Sequence, residues 1–114
     1  MADRPNPLKL NPLQCKTLAL LQEIARQPGM ANPPDDEGAV QLRYLPEPHG
    51  DHFHIGPAVV RSSDATGLAN PSVFGALARK GLIAAGPRGL PIVTPAGSAY
   101  DTGVADRILH RSDH

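Results

Sequence analysis

Ahead of three candidate helical runs the chain sets a helix-capping residue directly before a proline, at Asn11-Pro12, Asn70-Pro71 and Thr94-Pro95. Followed by an apolar run at helical spacing, the pairing marks a helix start. A side-chain oxygen satisfies an orphan N–H of the first turn, and proline, with no N–H to leave unpaired, presets φ at the first helical position. After the first pair, Leu13, Thr17, Leu20, Leu21 and Ile24 recur at helical spacing and Gln14 stands where a capping box needs it. A helix is predicted from residue 12 to near Gln27, where Pro28-Gly29 stops it. After the second pair, Val73, Phe74, Leu77 and Ala78 form an apolar stripe that Lys80-Gly81 ends; after the third, a helix carries Ala99 and Tyr100 past Gly103 toward Ile108 and Leu109. With 13 Pro and 11 Gly in 114 residues, the chain falls short of low-complexity disorder but demands short elements and sharp turns. Its length allows one domain.

Between the first two capped helices the periodicity changes. Residues 28–39, with Asp35, Asp36 and Glu37, read as an acidic linker. Val40, Leu42 and Tyr44 then alternate with Gln41 and Arg43, a break follows at Pro46, Pro48, Gly50 and Asp51, and His52, Phe53, His54 and Ile55 resume an extended pattern. This predicts a β-hairpin between those two runs. Gly56-Pro57 is read as opening a second, short helix through Val59, Val60 and Ser63 to Thr66, ended by a left-handed Gly67. Leu82–Ala84 and Leu90–Val93 read as two short strands around a Gly/Pro/Arg tip. The domain expected is 11–109, with residues 28–55 as a loop and hairpin insertion, a flexible arm at 1–10 and a flexible tail at 110–114. Its expected core is Leu18, Leu21, Ile24, Val59, Leu68, Val73, Leu77, Leu82, Ile83, Ile92 and Val93, supported by Phe74 and Tyr100.

The run from Ala65 to Gly97 carries a further pattern: Thr66-Gly67-Leu68 before Asn70-Pro71-Ser72-Val73, then Arg79-Lys80-Gly81-Leu82-Ile83, then Val93-Thr94-Pro95-Ala96-Gly97. In order and spacing it resembles the winged helix–turn–helix core of bacterial transcription regulators, most nearly the MarR-type family. The resemblance implies an α+β, mainly helical winged helix–turn–helix fold, with the β-hairpin inserted between the first two helices and a two-stranded wing. In such regulators the recognition helix enters the major groove and a basic wing tip touches the adjacent backbone. That assigns Asn70, Ser72, Arg79, Lys80 and Arg88 to DNA contact, with Arg61, on the supporting helix, reaching a phosphate. It implies duplex DNA as partner, a cytoplasmic homodimer and a role in transcription regulation.

Charge is distributed to match. The whole chain is neutral, with 11 basic and 11 acidic residues, so any polyanion must be held by a local face. Residues 56–95 carry Arg61, Arg79, Lys80 and Arg88 against Asp64, a net of +3, whereas residues 28–55 carry Arg43 against Asp35, Asp36, Glu37, Glu47 and Asp51, a net of −4. Gly75 and Ala76 offer nothing to base edges, which leaves Asn70 and Ser72 at the front of the reading helix. The alternative expectation is a winged helix used for protein contact or assembly without DNA, its partner meeting the hairpin or an exposed helix face.

His49, Asp51, His52 and His54 form the densest chemical run. On a strand, His52 and His54 share one face about 7 Å apart, too far for one ion unless the turn folds His49 or Asp51 inward. Imidazole and carboxylate suit Zn²⁺ or a similar borderline metal, but the favoured reading is a polar hairpin face, with no metal and no cofactor. Cys15 is read as a half-buried small residue. Ser62-Ser63-Asp64 lacks a nucleophile-elbow glycine pattern, and no glycine run makes a phosphate loop, so the chain is not expected to be an enzyme. No apolar run suits a signal peptide or a membrane span, which predicts no membrane and a cytoplasmic setting.

Overall fold

A computed structural model describes residues 6–47 and 50–111, the side chain of Arg111 excepted. The fold is α+β. Its axis is α1 (Pro12–Ala25), whose capping box is complete: Gln14 N–H donates to Asn11 Oδ1 and Asn11 N–H to Gln14 Oε1. Every residue from Thr17 to Ile24 is buried, so this helix is wrapped on all sides rather than on one stripe. Its buried polar groups are satisfied. Thr17 Oγ1 donates to Leu13 O at 2.8 Å, and Gln22 Nε2 donates to Gly97 O and Tyr100 O at 2.7 and 2.8 Å. Glu23 accepts from Arg26 Nη1 at 2.9 Å and from Gln27 Nε2 at 3.0 Å.

Among the described residues two three-stranded antiparallel sheets form, and neither contains the predicted hairpin. β1 (Val40–Gln41) pairs with β5 (Pro91–Val93), Val40 opposite Val93, and β5 pairs with β4 (Ile83–Ala85), giving the order β1-β5-β4. On its other side the β1 segment meets the 30–32 loop, through Asn32 N–H to Gln41 O and Arg43 N–H to Met30 O. β2 (His52–Ile55) turns directly into β3 (Ala58–Arg61), with Phe53 opposite Val60 and Ile55 opposite Ala58. The two-residue turn is Gly56-Pro57, with φ of +54° at Gly56; a positive φ at the first central position is what a tight hairpin requires. The expected helix over 56–66 is therefore a strand followed by a 3₁₀ turn at Ser62–Asp64. Adjacent β-branched Val59 and Val60 favour a pleated strand over a helical turn.

A second 3₁₀ turn, Thr66–Ala69, leads into α2 (Pro71–Arg79), where Asn70 Oδ1 accepts from Ser72 N–H at 3.0 Å and Gly81, with φ of +77°, follows the C-cap Lys80. Gly67 does not take the left-handed conformation expected of it. Its need for glycine is steric, because a Cβ there would stand 1.8 Å from Thr17 Oγ1 on α1. The C-terminal helix is broken in two, α3 (Pro95–Ala99) and α4 (Ala105–Ile108), with Gly103 at φ of +75° between them.

The ends are tied in. Lys80 Nζ donates to Leu8 O at 2.7 Å, Asn6 brackets Leu10 with two hydrogen bonds, Tyr100 Oη bonds Asn6, and Leu10 is buried. Residues 6–10, expected in an arm, thus lie against the body. β6 (His110–Arg111), expected in the tail, pairs with β3 and completes the sheet order β2-β3-β6. The expected core holds except at Val59 and Ile92, which are half-buried, and it gains Leu20, Leu42, Ile55 and Val60.

Candidate nucleic-acid interface

The exposed end of the β1-β5-β4 sheet is built by a strained turn. Between β4 and β5 the chain makes a 3₁₀ turn at Pro87–Gly89 in which Arg88 takes φ of +62° and Gly89 +74°. A left-handed non-glycine residue is uncommon, and here it puts the Arg88 side chain at the tip, exposed. Because β1 pairs with β5, the residues after β1 run alongside this tip. Arg43, Tyr44, Asn32, Gln41 and Arg88 line one cleft of about 350 Å³ that has no carboxylate in its wall. Tyr44 is 51% exposed. The alternation along the chain predicts Arg43 and Tyr44 in a hairpin with His52–Ile55, in the acidic stretch; only the non-local pairing with β5 brings them here.

On α2 the expected contact residues fall at two ends. Asn70 and Ser72 sit at the N-terminus, with the Asn70 side-chain oxygen occupied by the cap, so its NH₂ is the group left to read an acceptor. Arg79 is exposed in the last turn, and its guanidinium folds back beside Gly75: a Cβ at Gly75 would lie 3.4 Å from Arg79 Nη1. Between α2 and the β4–β5 hairpin runs an apolar groove of about 250 Å³, lined by Phe74, Gly75, Ala78 and Leu90 among others. None of the expected contact residues lines it.

Two of the expected residues are elsewhere. Lys80 is half-buried and its ammonium holds the Leu8 carbonyl, a structural task. Arg61 is not on a supporting helix; it ends β3 in the other sheet, opposite His52. Asp64, the acid set against these cations in sequence, is ion-paired with Lys16 of α1 at 2.9 Å. Among the described residues Arg43, Arg61, Arg79 and Arg88 have no carboxylate partner.

The histidine run lies on the outer face of β2. His52 Nε2 and His54 Nε2 are 3.1 Å apart, and Asp51 Oδ1 is 3.4 Å from His52 Nδ1. Side chains two residues apart on a strand start about 7 Å apart, but these rings lean together edge to face, with centroids 4.8 Å apart. His49 lies outside the described residues. No third His, Cys, Asp or Glu among the described residues joins the pair in a cluster able to hold a metal. Cys15 is buried, and desolvation pushes its thiol above the ordinary value. No helix among the described residues is long and apolar enough to cross a membrane. No family model, curated protein or solved structure matches the chain.

Proposed function

We propose that the chain is a winged-helix module that binds duplex DNA, with α2 as the reading helix and the β4–β5 hairpin as the wing, in the manner of bacterial transcription regulators. The observation that carries this reading is the strand order β1-β5-β4 around α1 and α2. Helix, strand, the β2–β3 hairpin, 3₁₀ turns, helix and hairpin follow one another in the sequence, and the strand after α1 joins the wing as its third member, as a winged helix requires. Chemistry supports it at the tip. Arg88 and Arg43 flank one cleft without a carboxylate, and Arg79 is exposed on α2. Guanidinium groups in that arrangement suit phosphate oxygens, with Asn70 and Ser72 facing base edges. A homodimer would double the contacts, which three arginines per chain need for firm binding.

The test is a salt titration of the full chain against random-sequence duplex, read by fluorescence anisotropy, with Arg43→Ala/Arg79→Ala/Arg88→Ala alongside. Each phosphate contact contributes about 0.9 to the slope of log affinity against log salt, so the triple variant should flatten it by about 3 per chain. Absence of binding at low salt, or a triple variant that binds like the parent, refutes the reading. The apolar α2–hairpin groove favours one alternative, a winged helix used for protein assembly. That reading predicts no duplex binding and a loss of self-association or partner capture on Ala78→Arg.

A further inference from the structure

We propose that the cleft bordered by Arg43 and Arg88 is a binding site for a free nucleoside monophosphate, its phosphate held by the two guanidinium groups and its base laid on the ring of Tyr44. The site shares its arginines with the duplex reading above but does not rest on it. Three observations carry it. The first is an uncommitted donor set. Asn32, Gln41, Arg43, Tyr44 and Arg88 all line one cleft of about 350 Å³, within the range of about 300–1,000 Å³ usual for small-molecule sites. Among the described residues none of their side chains is hydrogen-bonded or ion-paired within the protein. Two guanidinium groups with no carboxylate in the wall suit an anion of two charges. A phosphate monoester carries about −1.5 to −2 at neutral pH, whereas each phosphodiester of a nucleic acid carries about −1.

The second is how the backbone presents these groups. Along β1 and the residues after it, Val40 and Leu42 are buried, while Gln41 is half-buried and Arg43 exposed. Strand alternation therefore puts Gln41 and Arg43 together on the outer face. Asn32 is set beside them by its N–H, which donates to Gln41 O at 3.0 Å. Arg88 comes from the β4–β5 turn in the left-handed conformation, at φ of +62°. Non-glycine residues held in that region against their own strain cluster at ligand clamps.

The third is the ring. Tyr44 is the one large hydrophobic side chain left exposed among the described residues, and it directly follows Arg43. An exposed aromatic face stacks a nucleobase. The amides of Asn32 and Gln41 each offer donors and an acceptor, the complement of the N6–H₂ and N7 pair on an adenine edge. Tyr44 also borders the neighbouring cavity that Glu47 lines, and Glu47 does not line the arginine cleft. The phosphate thus lies on the arginine side of the ring, away from that carboxylate.

The experiment is calorimetric titration of AMP into the full chain at low salt and without DNA, with circular dichroism to verify that every variant folds. One equivalent should bind. Adenosine, inorganic phosphate and the methyl ester of AMP, a diester of single charge, should each bind at least about 10-fold more weakly, since each lacks the ring, the phosphate or the second charge. Arg43→Ala and Arg88→Ala should each weaken AMP by about 10-fold or more. Tyr44→Ala should weaken AMP by about 5-fold or more while leaving inorganic phosphate unchanged, and Arg61→Ala, on the other sheet, should change neither. No binding of AMP by the parent chain overturns the proposal. So does inorganic phosphate or the methyl ester binding as tightly as AMP, or AMP binding that persists unchanged in the folded Arg43→Ala/Arg88→Ala variant. Because no DNA is present, failure here and failure of duplex binding are read separately.

Discussion

Replacing Gly67 with Ala tests how α2 is held. The added Cβ would stand 1.8 Å from Thr17 Oγ1, 3.1 Å from Thr17 Cβ and 3.4 Å from Leu13 Cδ1. Thr17 is fully buried and its hydroxyl donates to Leu13 O at 2.8 Å. Relief requires turning Oγ1 away, which breaks that bond and still leaves a tight Cβ–Cβ contact. Loss of the bond contributes about 0.5–1.5 kcal/mol and the residual overpacking about 1–3 kcal/mol. At roughly 4 °C per kcal/mol for a domain of this size, the melting temperature should fall by about 6–18 °C. The assay is thermal unfolding by circular dichroism across a double-mutant cycle with Thr17→Ala. Because Thr17→Ala removes the clashing oxygen, the double variant should be more stable than the sum of the two singles allows, by about 0.5–3 kcal/mol. A Gly67→Ala protein that melts within a degree of the parent, or a cycle that closes additively, would show that this contact does not set the position of the turn.

Two further substitutions separate structural from binding roles. Lys80→Ala should destabilise the fold by about 0.5–1.5 kcal/mol through loss of its bond to Leu8 O, yet leave the salt slope of duplex binding nearer the parent value than Arg79→Ala or Arg88→Ala does. The reverse ranking contradicts the assignment of Lys80 to the arm. Cys15, buried and with its thiol raised from 9.0 by desolvation, should resist alkylation in the native state and react only on unfolding. Its neutral form is favoured by the fold, so its contribution is complete below pH 9 and is lost as pH rises through the native value. Cys15→Ala should therefore show a shallower fall of stability above pH 9 in urea titrations, and an identical alkaline limb speaks against burial as the cause.

What could be read from the sequence was local. Asn11-Pro12, Asn70-Pro71 and Thr94-Pro95 start α1, α2 and α3 where expected, because a cap and its helix are separated by one to three residues and need no distant partner. Gly56-Pro57 carried two meanings, helix opening and tight turn. The adjacent Val59 and Val60 decide for the turn, once a strand at His52–Ile55 is there to receive them. The partner of Val40 was not legible, since Val93 lies more than fifty residues away and Phe53 offered a nearer extended run. Nor was the approach of His52 to His54: strand spacing fixes where the two side chains begin, and rotation about their side-chain bonds sets where the ring nitrogens end.

That non-local pairing also changes the charge argument. Counted along the chain, Arg43 belongs to the acidic stretch 28–55 and Lys80 to the basic one 56–95. Counted in space, Arg43 joins Arg88 at the hairpin tip while Lys80 turns inward to a backbone carbonyl, and Asp64 is neutralised by Lys16. The basic face thus owes one of its three exposed arginines to a residue 36 and 45 positions upstream of the other two, brought there by β1 lying against β5. A change that frees β1 from β5 would remove Arg43 from the cleft without touching α2 or Arg88. Duplex affinity should then fall to the level of Arg43→Ala, because what the phosphate meets is the arrangement of guanidinium groups and not their number in the chain.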